Sequence, residues 1–464
     1  MNTRIEKDSL GNREIPADAY YGVQTHRALE NFPISGLKPK AAYVDATIHI
    51  KRAAALVNKE LGLLDEKKAN AIIQAADEIL AGNLRDWFVV DVYQAGAGTS
   101  HNMNCNEVLA NRAIEILGGK KGEYTLCNPN DHVNMAQSTN DVCPTAIRIG
   151  ALINAKKLLE SLKLVEDVFN KKGKEFYNIV KSGRTHLADA VPVRLGQEFT
   201  AWGTNMRKHR NAIERAMESC KELGIGGTAA GTGLNAHQEY RARMVKQLSA
   251  QTGFDFRMAE DYFEAMQSLR PMVELSNAVR NCAQDLSRIS NDVRLLGSGP
   301  KTGLFELNLP AVQPGSSIMP GKVNPVMFEM MNMVCFQVIG CDTTVLMAAQ
   351  AGQLELNVMM PVVAFNLLHE IEILANAMNV YVSFGVEGIT ANADRCQMYA
   401  ENSTSVVTVL NPHIGYAKGA EIAKEYLKSG KSIRELVLEK ELLTKEKLDE
   451  VFNLAKMTEP GIHK

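Results

Sequence analysis

Apolar positions recur along the middle of the chain in steps of three and four. Met272, Leu275, Val279, Cys282, Leu286, Ile289, Val293 and Leu296 form one unbroken seam. Its 3.5-residue period is that of helices packed side by side, and it predicts about 37 Å of helix at 1.5 Å per residue. A second seam runs through Ala364, Leu367, Ile371, Leu374, Met378 and Tyr381, and a third through Leu195, Phe199, Trp202, Met206, His209, Ile213, Ala216 and Cys220. A fourth, less regular one starts near Ala146 and passes Leu152, Ala155, Leu159, Leu162, Val165 and Phe169. No proline falls between Pro192 and Pro271. The fold class these seams predict is mainly all-α, a bundle of long antiparallel helices. The Met-rich stretch 327–333 reads as core. Seams this long tend to bury more than one face, which predicts association between subunits.

Three polar segments interrupt the pattern: 93–106 (YQAGAGTSHNMNCN), 128–145 (NPNDHVNMAQSTNDVCPT) and 299–325 (GPKTGLFELNLPAVQPGSSIMPGKVNP). The third is too long for a plain connector in a compact helical protein, so it predicts a functional loop. Residues 224–233, GIGGTAAGTG, form a Gly-rich joint without a phosphate-loop motif or a clean GxGxxG, a weak case for nucleotide binding. The organisation predicted is an N-terminal domain over 1–139, a central helical-bundle domain over 140–394 and a small C-terminal helical domain over 395–464. The length of 464 residues allows about three domains at roughly 150 each.

Composition narrows the function classes. Lys+Arg 51 against Asp+Glu 53 leaves a net charge of -2, which argues against an electrostatic nucleic-acid binder. No stretch reads as 18 uncharged apolar residues, which predicts no membrane span. The opening MNTRIEKDSLGNREIP is too charged to supply the apolar region of a secretory signal. Eight cysteines without a CxxC pair read as buried free thiols, pointing to a reducing cytoplasm. They do not cluster with the ten histidines, so no metal site is expected.

Each polar segment is expected to sit where a long helix begins. Asn324-Pro325 has the form of an N-cap followed by proline at the first helical position. Ser138-Thr139-Asn140-Asp141 precedes the fourth seam, and Thr185-His186 stands shortly before an Asp189–Pro192 start of the third. Helix N-termini carry free N–H groups and partial positive charge, and Lys322 adds a full charge. Hydroxyls, amides, one His and one Lys suit a small dicarboxylate and negative charge developing on it. For any single segment, simple helix capping is the plainer explanation. Glu329, seven residues past Lys322, is open to two readings: a carboxylate orienting His186 or neighbouring loops, or an ordinary first-turn helix carboxylate. His132 and His237 read as structural.

GSSIMPGKVNP at 315–325 closely resembles the signature of the fumarase/aspartase superfamily, and GTSHNMNCNEV (98–108), DHVNMAQSTND (131–141) and SGRTHLADAVP (182–192) resemble its other motifs in order and spacing. The similarity runs from RIEKDSLG at the start to LNPHIGY (410–416) and beyond. It implies a homotetramer with active sites shared between subunits, and an elimination that uses no cofactor. By that resemblance Ser316 is the base, working as an alkoxide on the carbon beside a carboxylate. Thr99, Ser138, Thr139 and Ser317 would hold the resulting aci-carboxylate; Lys322, Asn324 and Thr185 the other carboxylate; Asn140 and His186 the leaving amine.

Ser100 and Thr139 resemble the branch that releases ammonia from L-aspartate, where the branch that releases water from malate tends to Gln and Ser. GGTAAGTG (226–233) resembles the water-releasing branch, and Met360 stands where the ammonia-releasing branch usually has Glu; His101 is unusual for either. Ammonia release from aspartate is the leading expectation and water release from malate the alternative. An inactive helical scaffold, a different class, would have no need of Ser316, Lys322 and His186 together.

Overall fold

The computed structural model describes residues 2–461. The chain opens on an antiparallel hairpin, β1 (Thr3–Asp8) and β2 (Gly11–Pro16). Helices α1 (Val23–Asn31), α2 (Ala41–Glu60), α3 (Glu66–Leu80), α4 (Thr99–Ile116) and α5 (Thr139–Glu175) follow. A second hairpin, β3 (Val180–Thr185) and β4 (Ala188–Arg194), leads into α6 (Leu195–Ser219), α7 (Tyr240–Thr252), α8 (Tyr262–Gln267) and α9 (Arg270–Leu296). After the long polar loop come α10 (Val326–Ala349) and α11 (Met360–Tyr381), then the shorter α12 (Ala393–Asn402), α13 (Asn411–Ile414), α14 (Tyr416–Ser429), α15 (Ile433–Glu439) and α16 (Lys445–Val451). The mainly all-α class is as expected.

Two compact units emerge from the packing. One runs through Glu160 and takes in His209–Gln284 and Val334–Ala375; the other holds Ser161–Lys208, Asp285–Met333 and the chain from Asn376. In the first, α2 and α5 approach so closely that a Cβ at Gly150 would sit 2.9 Å from the Ala42 carbonyl oxygen, which leaves room for glycine alone. Asn154 of α5 donates its amide to the Leu368 carbonyl of α11. In the second unit the core is aromatic: Phe199 and Trp202 lie 4.7 Å apart between centroids, Phe169 meets Trp202 edge-on at 5.8 Å, and Phe328 meets Tyr381 at 5.3 Å. A satellite core of Val406, Leu410, Ile422, Leu436 and Leu448 gathers the C-terminal helices.

All eight positions of the α9 seam and all six of the α11 seam are buried. Elsewhere the structure departs from the expected pattern. In α5 it is Leu158 that is buried, while Leu159 is half-exposed. The third seam was expected to start within Asp189–Pro192, but these residues are strand β4 and the helix begins at Leu195. Pro192 lies opposite Ser182, where the ladder slips register before Gly183, a position that tolerates a residue without an N–H.

Helix α10 requires one correction. Its buried positions, Phe328, Met331, Cys335, Val338, Cys341 and Val345, follow one face, but Met333 in the Met-rich stretch is 64% exposed. Met333, Phe336, Leu346 and Met347 with Gly340 and Thr343 form a second face open to solvent in the single chain. Among the described residues this one helix has the length and composition of a membrane span, although the expectation of no 18 uncharged apolar residues in a row holds on it. Val326–Ala349 is long and apolar enough by length and composition, and 39% of its most apolar stretch is buried within the chain. Glu329 and Asp342 interrupt it, so it holds no run of 18 uncharged residues. All eight cysteines are buried, and none is in a disulfide.

Candidate active site

In the first unit the site residues lie on two helix N-termini. A tight turn at Gly96–Gly98 delivers Thr99 to the start of α4. Gly98 adopts φ 91°, and a Cβ there would meet Cys143 Sγ at 2.8 Å, so both conformation and space demand glycine. Thr99 is exposed and its hydroxyl donates to the Gly96 carbonyl at 3.3 Å. At the head of α5, Ser138 is the expected N-cap. Its Oγ accepts from the Asn140 N–H at 3.2 Å, while Asp141 Oδ1 accepts from the Ser138 N–H at 2.9 Å, a reciprocal cap with Asp in place of Glu.

The two helix heads are joined. Asn102 Nδ2 donates to Thr139 Oγ1 at 3.2 Å and to Asn134 Oδ1 at 3.2 Å. Asn134 Oδ1 also accepts from Lys51 Nζ at 2.8 Å and Asn106 Nδ2 at 3.1 Å. Lys51 is fully buried, and burial pulls its pKa down to about 8. Because Ser138 Oγ and Thr139 Oγ1 each already accept an N–H, their own hydroxyl hydrogens are free to turn outward as donors to a carboxylate.

The Gly-rich joint at 224–233 folds onto this head. Asp141 Oδ2 accepts from the Gly226 N–H at 2.9 Å and the Thr228 N–H at 3.0 Å, and Asn140 Nδ2 donates to the Ala229 carbonyl at 2.8 Å. Burial pushes the Asp141 carboxyl up to about 6 against these stabilising N–H bonds. His101 is buried and stacked on Tyr43 at 4.1 Å, with Nε2 2.9 Å from Thr47 Oγ1; burial drops its pKa to about 3, so it is neutral packing. His132 and His237 each take a backbone N–H, from Asn128 and Glu239, and fit the structural reading.

The second unit holds the remaining candidates. Thr185 and His186 were expected before a helix; they lie instead at the tip of the β3–β4 hairpin, where Thr185 pairs with Ala188. His186 and Leu187 both have positive φ, 56° and 58°, the conformation of a two-residue hairpin turn, and both are exposed. The hairpin is anchored by a buried ion cluster: Arg184 donates to both oxygens of the fully buried Glu306 at 3.0 Å, and Lys181 lies 3.3 Å from Glu306 and 3.0 Å from Glu198.

In the long loop, Ser316 Oγ accepts from the Ile318 N–H at 3.2 Å and the Met319 N–H at 2.9 Å. Two N–H donors on one hydroxyl oxygen are what an alkoxide needs. Ser316 and Lys322 line an open hollow of about 500 Å³ with Gly315, Met319 and Val323, and Ser317 and Lys322 are exposed. Asn324 is not the cap expected: its amide donates to the Gly315 carbonyl, closing the loop, and the Pro325 carbonyl takes the first helical bond from Glu329. Glu329 is a half-buried first-turn residue of α10. Among the described residues no group of three or more His, Cys, Asp or Glu is placed to hold a metal ion.

Sequence reasoning missed Lys51, Asn102, Asn134 and the role of Asp141. Lys51 had a signal: it stands at four-residue spacing from Thr47 and Ala55 on the apolar face of α2, where a lone charge needs a partner.

The hydroxyls at the head of α5 in the first unit suit donation to a carboxylate, and the loop serine of the second unit, held by two N–H donors, suits alkoxide chemistry. A family model described as Lyase matches residues 11–340, and one described as Fumarase C C-terminus matches 406–459. The chain belongs to the fumarase/aspartase superfamily of lyases. It is 50% identical over 459 residues to the aspartate ammonia-lyase of Bacillus subtilis (strain 168), covering 99% of this chain and 97% of that one. Among solved structures it is similar to a fumarate lyase:delta crystallin from Brucella melitensis bound to cobalt, with TM-score 0.96 and 46% identity over 99% of this chain and 100% of that one. It is also similar to the class II fumarase of Schistosoma mansoni, with TM-score 0.95 and 38% identity over 98% and 99%.

Proposed function

We propose that this chain is an aspartate ammonia-lyase, converting L-aspartate to fumarate and ammonia. The observation that carries this reading is the 50% full-length identity to the Bacillus subtilis enzyme of that name, against 38% to the Schistosoma mansoni class II fumarase. Ser100 and Thr139 favour the same side.

In this reading Ser316, as its alkoxide, removes a proton from Cβ of aspartate. The electron pair moves onto the neighbouring carboxylate, giving a doubly charged aci-carboxylate that Thr99, Ser138, Thr139 and Ser317 hold by hydroxyl donation. Collapse of that intermediate forms the double bond and breaks the Cα–N bond, so the ammonium leaves as ammonia and Ser316 gives up its proton afterwards. Thr185, Lys322 and Asn324 hold the second carboxylate; His186 and Asn140 face the amine. The N–H bonds from Ile318 and Met319 support the alkoxide, and the outward hydroxyls of Ser138 and Thr139 support the aci-carboxylate.

The same reading takes the protein as a cytoplasmic homotetramer with shared sites, divided into domains at 1–139, 140–394 and 395–464. Its substrate is a small dicarboxylate, and neither nucleic acid nor membrane is a partner. The open apolar face of α10 supports assembly. The test is to follow fumarate absorbance with L-aspartate and L-malate as separate substrates. Fumarate from aspartate alone is expected; fumarate from malate alone would make the chain a fumarase.

A further inference from the structure

The Gly-rich joint has a keystone that the reaction as described does not use. Arg241, in the first turn of α7, donates Nε to the Gly226 carbonyl at 3.1 Å and Nη2 to the Gly231 carbonyl at 2.9 Å. Its guanidinium lies 3.8 Å from the centroid of the Tyr262 ring. A cation in a helix's first turn opposes the helix dipole, so two carbonyls and an aromatic face must hold it there. The fork of the guanidinium spans the loop from Gly226 to Gly231 in a way that a single ammonium cannot.

What the loop does in turn is orient Asn140. The Ala229 carbonyl can only accept, so the group it meets at 2.8 Å is the NH₂ of Asn140. That leaves Asn140 Oδ1 as the end directed elsewhere. A substrate ammonium presents donors only and needs acceptors; an amide turned the other way would offer it a donor. Thr228, whose N–H holds Asp141, sits at φ 56°, a strained position for a β-branched residue that persists only where surroundings enforce it.

We propose that Arg241 is a positioning residue for amine recognition: by clamping the 226–231 loop it fixes the Ala229 carbonyl, and thereby keeps the Asn140 side-chain oxygen toward the amino group of the substrate. This rests on the reading of Asn140 as the amine-side group of an aspartate ammonia-lyase. Succinate separates the proposal from a loss of general integrity, since it carries both carboxylates and no amine.

The experiment compares the wild-type enzyme with Arg241→Ala and Arg241→Lys, measuring kcat and KM for L-aspartate and the inhibition constant of succinate, with the assembled state checked by light scattering. Arg241→Ala is expected to lower kcat/KM for aspartate by about 10- to 100-fold, with succinate inhibition within about twofold of wild type, and Arg241→Lys to fall between. Aspartate kinetics within about twofold of wild type would overturn the proposal alone. So would a parallel loss of succinate binding, which marks collapse of the whole pocket. If the wild-type enzyme itself fails to release fumarate from aspartate, the functional reading falls, and this proposal with it.

Discussion

Asn102 donates its side-chain amide to the hydroxyl of Thr139 at 3.2 Å, and this one contact ties the first turn of α4 to the first residue of α5. Thr99 lies three residues before Asn102 on the same helix, so the amide sets the spacing between the two helix N-termini. The same amide reaches Asn134, whose oxygen takes two further donors, buried Lys51 and Asn106. The Thr139 hydroxyl is therefore held from beneath by a buried network, while those of Thr99 and Ser138 are held by their own turns.

Replacing Asn102 with Ala should loosen that spacing. We expect kcat/KM for L-aspartate to fall by about 10- to 100-fold, chiefly through KM, at a stability cost of about 1–2 kcal/mol for the unpaired neighbours. Steady-state kinetics with a thermal melt check it. A variant with unchanged KM would mean that Thr139 holds its position without Asn102.

Ser316→Ala should remove turnover by a factor of about 10³ or more while leaving the secondary structure and assembled state intact. The serine is in a loop, and its hydroxyl accepts from two local N–H groups rather than packing in a core. Circular dichroism and light scattering alongside the assay separate chemistry from folding. Retention of a sizeable fraction of the wild-type rate would rule out Ser316 as the base.

The helical seams could be read from the chain because each rests on a local repeat: α9 puts every seam residue inside at its 3.5-residue period. The cap at Ser138–Asp141 was equally legible, being a pattern four residues long. The β3–β4 hairpin was not. Its turn, His186–Leu187, lacks the Gly or Asn that usually marks positive φ, and Pro192 suggests a helix start where the structure uses it at a bulge. Asn134 and Lys51 were hidden for another reason, since a hub is defined by partners up to 86 positions away, as with Lys51 and Gln137. Met333 was read as core because a Met-rich composition does not distinguish the two faces of one helix.

Two buried carboxyls set a pH dependence of stability. Burial raises Asp141 from 3.8 to about 6 and Glu107 from 4.5 to about 7; Glu107 accepts from the N–H groups of Gly22, Gln24 and Thr25 at the start of α1. The folded state thus keeps protons that the unfolded chain has already released between pH ~4 and ~7. Stability contributed by the protonated forms is complete at the acid end of that window and is lost as pH rises, by on the order of 3 kcal/mol per group. Urea unfolding from pH 5 to 8 should show wild type losing more stability across this range than Glu107→Gln, which cannot titrate. Parallel curves would show that Glu107 is ionised throughout.

The outer face of α10 should be an interface. Phe336 is 61% exposed and Met347 57% in the single chain, on a helix whose opposite face is fully packed. Phe336→Asp places a charge in that face and should split the assembly, seen as a drop in mass by light scattering, with activity lost in parallel. A variant that keeps the wild-type mass would place the contact elsewhere.

If the assembly also shares its sites, two inactive variants should repair each other. Ser316 belongs to the long loop and His186 to the hairpin tip, and in the proposed tetramer the two at any one site come from different chains. Mix Ser316→Ala and His186→Ala chains in equal amounts, unfold them and reassemble them. A site is whole when the chain giving the loop carries Ser316 and the chain giving the hairpin carries His186. Random assortment makes each of these true half the time, so about one site in four should be intact. Recovery near a quarter of wild-type activity is therefore expected, against almost none for either variant alone. Were both residues drawn from one chain, every site in every hybrid would lack one of them, and no mixing ratio could restore activity. Hybrids verified as mixed by mass and still inactive would assign both residues to a single subunit.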